Sequence, residues 1–244
     1  MNLYFLVEGR RTECRLYPRW LAHLMPHFVR VPYPDEVSKN SYFLVSGEGY
    51  PRLLDKALPN AIKDANAVGK FDYLILALDA EEASIEDRIK EVKTALENQA
   101  ERLSSSTSLR IIVQNRCIET WLLGNRRMFS RYPGNQDLRK YIEFYNVREK
   151  DPERMGMLGG FTTHAAFHLA YLQAIFEERN LQYGKKNIGH AGDNSYLQEL
   201  ISRMEGCPED LASFRVFLEL IQNVVRLTNP IANGGPSPSP QPAP

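Results

Sequence analysis

LYFLVEGRRTE, residues Leu3–Glu13, runs five apolar residues directly into an acid, a glycine and two arginines. An uninterrupted apolar run of this length reads as a strand buried on both faces of a parallel sheet. In open α/β sheets, ligands bind at the carboxyl ends of such strands. Glu8 is placed there, and Gly9 allows tight backbone geometry beside it. The competing reading is that Glu8 only charges the first turn of the following helix.

Working outward, the first half of the chain alternates strand and helix patterns. Thr12–Met25 has helical apolar spacing, His27–Tyr33 and Ser41–Ser46 read as strands, and Tyr50–Val68 reads as a helix with a kink expected at Pro59. Asp72–Ala77 (DYLILA) is the strongest buried strand and ends at Leu78-Asp79. An amphipathic helix is expected over Ile85–Leu103, a strand over Leu109–Val113 and a helix from Cys117 to Leu123. Such alternation predicts an α/β fold, a mostly parallel sheet flanked by helices. Arg127–Gly160 reads as irregular, whereas Thr163–Glu178, Asn194–Arg203 and Leu211–Leu227 read as helices. The expected organisation is an α/β domain over 1–125, a mainly helical region over 126–232 and a disordered Pro-rich tail over 233–244.

At 244 residues with 43% hydrophobic content, the chain can bury a sizeable core. Its formal net charge of zero means that any surface for a polyanion must be local. The three scattered cysteines, Cys14, Cys117 and Cys207, have no metal spacing and suit a reducing compartment. No signal-peptide pattern and no membrane-spanning run is visible, so a cytoplasmic protein without a membrane partner is expected.

Three acids follow predicted strands: Glu8, Asp79 (with Glu81 and Glu82 in the same turn) and Glu119. In a parallel sheet these strand ends share one edge, so the acids can converge. Clustered carboxylates repel, and an oxygen-only set selects Mg²⁺ or Mn²⁺ over Zn²⁺. His164 and His168 are spaced i, i+4, but without HExxH and on a core-facing helix they read as structural. Gly47-Glu48-Gly49 and Gly156–Gly160 are not P-loops, so no ATP site is expected. Arg10, Arg11, Arg15, Arg116, Arg126, Arg127 and Arg131 could form a phosphate-facing rim. Tyr132, Tyr141, Phe144 and Tyr145 are expected to pack a helical region rather than stack on bases.

These motifs resemble those of TOPRIM-fold proteins, and among them the small RloB-like group associated with restriction loci and phage defence. Glu8-Gly9 is similar to the first TOPRIM element and Asp79-Ala80-Glu81 to its D-x-D pair. Glu8-Gly9-Arg10-Arg11-Thr12-Glu13, with Tyr17 after it, resembles the group's EG-x-x-TE string. Asn115–Leu123 resembles its N-x-C-x-E-x-W-L-L string, and Tyr183-Gly184-Lys185 its later Tyr-x-Lys element. The match covers residues 1–125 and extends loosely beyond. One position departs: Glu81 stands where the pair has a second Asp, and Glu82 is an alternative there.

The resemblance implies a Mg²⁺- or Mn²⁺-dependent nuclease cleaving phosphodiester bonds of DNA or RNA. Glu8, Asp79, Glu81 and Glu119 would be metal ligands, and Glu8, Asp79, Glu119 and Lys185 catalytic. It also implies an anti-phage effector working with a separate ATPase subunit, and it leaves a homo-oligomer open. Two other readings stay open: a non-catalytic module binding nucleic acid or a partner, and a metal-dependent phosphatase on a small nucleotide.

Overall fold

The computed structural model describes residues 1–229, so the expectation of a disordered tail lies outside the described residues. Five strands, β1 (Asn2–Val7), β2 (Val29–Val31), β3 (Ser41–Ser46), β4 (Tyr73–Asp79) and β5 (Ser108–Gln114), form one all-parallel sheet in the order β2-β3-β1-β4-β5. Helices α1 (Glu13–Leu24), α2 (Leu58–Val68) and α3 (Ile85–Glu97) connect strands. Helix α4 (Ile118–Leu122) follows β5, and α5 (Gln136–Phe144), α6 (His164–Glu178), α7 (Asn194–Gly206) and α8 (Ala212–Thr228) complete the helices of the described residues. The architecture is α/β and Rossmann-like.

Side chains alternate across the sheet as strand geometry requires. On one face Tyr4, Leu6, Leu74 and Leu76 meet α2 and α3 through Leu58, Ile62, Ala65 and Val92. On the other, Leu3, Phe5, Val7, Ile75 and Ala77 meet α1, α4 and α8. One continuous apolar core therefore joins strands from residues 1–125 to helices from the C-terminal region. At its centre, Phe217 of α8 lies against Tyr17, Trp20, Trp121 and Phe214, with ring centroids 5.3–6.3 Å away. Replacing Phe217 by Ala is expected to cost about 3–5 kcal/mol, read as a fall in the denaturation midpoint.

Several elements differ from expectation. The helix expected over Tyr50–Val68 begins with a π-helical turn, Leu53–Ala57, which runs without a break into α2, and Pro59 lies just after that turn. Helix α3 stops at Glu97 rather than Leu103, and β2 keeps three residues of the expected seven. Arg127–Gly160 is not wholly irregular. Asn135 accepts hydrogen bonds from the Asp137 and Leu138 N–H groups and starts α5. Among the described residues, no helix is long and apolar enough to cross a membrane.

Candidate functional site

From β1 the chain winds outward through α1 on one face. From β4 it winds the other way through α3 on the opposite face. The carboxyl ends of β1 and β4 thus form the crevice where α/β sheets bind ligands. An open cavity of about 510 Å³ lies there, lined by Glu8, Glu13, Asp79, Glu81, Glu119 and Lys185, with Gly9, Arg10 and Arg11 at its border. All five expected site residues border it. Lys186 does not.

Local hydrogen bonds fix each acid. Glu8 continues the ladder by donating its N–H to Ala77 O (2.9 Å), and its Oε2 accepts from the Asp79 N–H (3.0 Å). Glu13, in the first turn of α1, folds back so that Oε1 accepts from the Gly9 N–H (2.8 Å). A Cβ on residue 9 would overlap the Glu13 carboxylate, so any larger residue there would have to displace that side chain from the Gly9 N–H. Glu119 Oε1 accepts from the buried Tyr183 hydroxyl (3.1 Å). Asp79 Oδ1 is buried without any hydrogen-bond partner.

Glu81 and Arg116 both have positive φ, 51° and 67°, strained for residues with side chains. They stitch two loops together: the Glu81 N–H donates to Arg116 O (2.8 Å), and Arg116 Nη1 donates to Glu81 O (2.9 Å). Glu82 turns elsewhere, its carboxylate accepting from the His164 N–H (2.8 Å) and meeting His164 Nδ1 (2.6 Å). Of the two alternatives in this turn, Glu81 faces the cavity.

The electrostatics are those of crowded like charges in a dry place. Burial raises Asp79 well above the usual carboxylate range, reinforced by repulsion from Glu13, Glu8, Glu119 and Glu81. Burial also pushes Glu13 up to about 7, with Glu119 and Glu8 adding to the shift. Glu8 is raised by burial and opposed by the hydrogen bond from Asp79. A hard cation relieves all three, and the orphaned Asp79 Oδ1 and the all-oxygen donor set fit one. Three of the carboxylates nonetheless answer separate protein donors: Glu8 the Asp79 N–H, Glu13 the Gly9 N–H and Glu119 the Tyr183 hydroxyl. Among the described residues, no three His, Cys, Asp or Glu side chains are already arranged to hold a metal ion. Binding would have to draw their free oxygens together.

The site extends into the C-terminal helices. Ser213, at the head of α8, receives N–H groups from Trp121 (2.7 Å) and Asn115 (3.1 Å) and donates its hydroxyl to Glu153 (2.6 Å). Thr120, next to Glu119, meets His168 Nδ1 at 2.7 Å. Burial drives His168 down to about 3, so its ring is neutral at physiological pH. The two histidines do not act together: His164 engages Glu82 and His168 engages Thr120.

Most of the expected arginine rim is committed. Arg15 and Arg116 hold backbone carbonyls, Arg126 pairs with Asp210, Arg127 with Glu199 and Arg10 with Glu48 (3.7 Å). Arg131 lines a separate cavity, and Arg10 and Arg11 border this one. Tyr141 and Phe144 pack on Phe167, as expected for a helical region, and the Tyr145 hydroxyl donates to Asp151 O. Tyr132 departs from that expectation, being 92% exposed.

Two site features were not assigned from the sequence. Glu13 stood inside the quoted motif without a role, although its spacing of four from Gly9 is the signal for a fold-back. Tyr183 was read only as part of a string, and its bond to Glu119 crosses 64 positions. Searches against family models, curated proteins and solved structures found no match to this chain.

Proposed function

We propose that this protein is a divalent-metal-dependent phosphodiester hydrolase of the TOPRIM type, acting on DNA or RNA. One observation carries the reading: four acids from three strand ends, joined by Glu13, line one open cavity around a buried carboxylate oxygen with no partner. Asp79, Glu8, Glu81 and Glu119 would hold Mg²⁺ or Mn²⁺. Such an ion, when bound, supplies charge against phosphoryl oxygens and makes water a stronger acid.

The chain's own groups do the rest. Glu13 keeps Oε1 on the Gly9 N–H, which leaves Oε2 to accept a proton from the attacking water. Lys185, with Arg10 and Arg11, places positive charge where a phosphate would enter. The RloB-like resemblance adds an anti-phage role with a separate ATPase, in keeping with the missing P-loop.

The protein donors held by Glu8, Glu13 and Glu119 favour one alternative, a module that binds nucleic acid without cutting it. Incubating the full chain with plasmid, single-stranded DNA, RNA, tRNA and mononucleotides, in Mg²⁺, Mn²⁺ or EDTA, separates the readings. The expected result is metal-dependent cleavage of a polymer, lost in Glu8→Gln. Retention of every substrate, or equal cleavage by Glu8→Gln, overturns the hydrolase reading, and release of phosphate from nucleotides alone would make it a phosphatase.

A further inference from the structure

A second, larger cavity of about 800 Å³ opens between residues 129–133, α5 and residues 146–149, outside the carboxylate site. Arg131, Arg139 and Arg148 converge on it, together with Tyr132, Glu143 and Glu149. Tyr132 is the most exposed large apolar side chain among the described residues. Its loop is nevertheless held firmly. Glu178 accepts from the Gly134 N–H (2.9 Å) and the Asn135 N–H (3.0 Å), and Arg139 Nη2 donates to Gly134 O (3.0 Å). A ring presented to water on a braced loop contributes nothing to the core. Among the described residues, Arg131 and Arg148 have no carboxylate partner, and neither Glu143 nor Glu149 pairs with a guanidinium.

We propose that this groove binds single-stranded nucleic acid, with a base stacked on Tyr132 and phosphates on Arg131 and Arg148. A phenol ring accepts any base face, and a planar guanidinium pairs with phosphate in two directions. The two glutamates leave a net charge of only about one positive in the lining, which suits a strand that touches few phosphates. A duplex, with dense charge on both backbones and its bases hidden, gains neither contact fully. The inference rests on the hydrolase reading for its choice of polymer, and it narrows that polymer to an unpaired strand.

The test is fluorescence anisotropy in EDTA with labelled single-stranded RNA, single-stranded DNA and duplex DNA of about ten nucleotides. Base-free polyphosphate serves as competitor. Single strands should bind more tightly than duplex and resist polyphosphate, and the RNA and DNA arms show which sugar is preferred. Tyr132→Ala should weaken binding by about tenfold. Arg131→Ala with Arg148→Ala should flatten the log–log salt slope by about 1.4, two phosphates' worth for a single strand. These side chains are solvent-facing, so unchanged melting curves would verify the fold.

Absence of oligonucleotide binding, indifference to Tyr132→Ala, or equal displacement by polyphosphate overturns the inference. Binding that depends on Tyr132 while no nucleic acid is ever cut would leave the groove standing and remove the hydrolase. Cleavage lost in Asp79→Asn, with strand binding untouched by Tyr132→Ala, would do the reverse.

Discussion

Asp79→Asn is expected to lower metal-dependent cleavage by on the order of 10³-fold while raising the melting temperature of the metal-free protein. The two effects have one cause. Asp79 carries the buried, partnerless oxygen and is repelled by four other acids, so its ionised form is costly without a cation. Asparagine is the neutral isostere and removes that cost. It also removes a ligand charge, and several kcal/mol of transition-state stabilisation go with it. Each kcal/mol regained by the fold should appear as about 2–4 °C in a chain of this size. Wild-type cleavage by the variant, or a lowered melting temperature in EDTA, would contradict the argument.

Stability of the metal-free protein is expected to fall as pH rises from about 4.5 to 7, and Mg²⁺ should reverse that fall. Glu13 titrates near 4.5 when unfolded and at about 7 when folded. The folded state therefore binds the extra proton across this window, and stability present below it is lost above it. Asp79 and Glu8 are shifted in the same direction and add to the loss. Because a cation competes with these protons, its stabilising effect should be small at about pH 5 and large at about pH 8. Thermal melts across pH, with EDTA and with Mg²⁺, measure both trends. A flat profile in EDTA would refute the crowding of charges.

The parts of the molecule that could be read in advance are those set by short-range pattern. The apolar runs of β1 and β4, the central strands, need no partner to be recognised, because burial on both faces leaves almost no polar position. Strand β5, though an edge strand with Arg110 exposed, keeps the apolar run Ile111–Val113. Glu8, Asp79 and Glu119 follow from those strands, since parallel pairing puts their ends on one edge. Helix α5 escaped because it buries only Leu138 and its other apolar residues are half exposed. The role of α8 escaped for another reason. Its stripe of Phe214, Phe217, Leu218, Ile221 and Val224 announces a buried face, but nothing local says that the face covers β5 and α1. The commitment of Arg116, Arg126 and Arg127 to carbonyls and acids was equally invisible, since each partner is remote in sequence.

The hold of Ser213 on Trp121 and Asn115 has a consequence for biosynthesis. The turn and helix α4 that carry Glu119 are anchored by a residue translated almost a hundred codons later, and the aromatic layer over α1 closes only when Phe217 arrives. A nascent chain halted after β5 would display Phe5, Tyr17 and Trp20 to water and carry an unfinished rim. A carboxylate cleft of this form therefore cannot assemble before α8 has been translated.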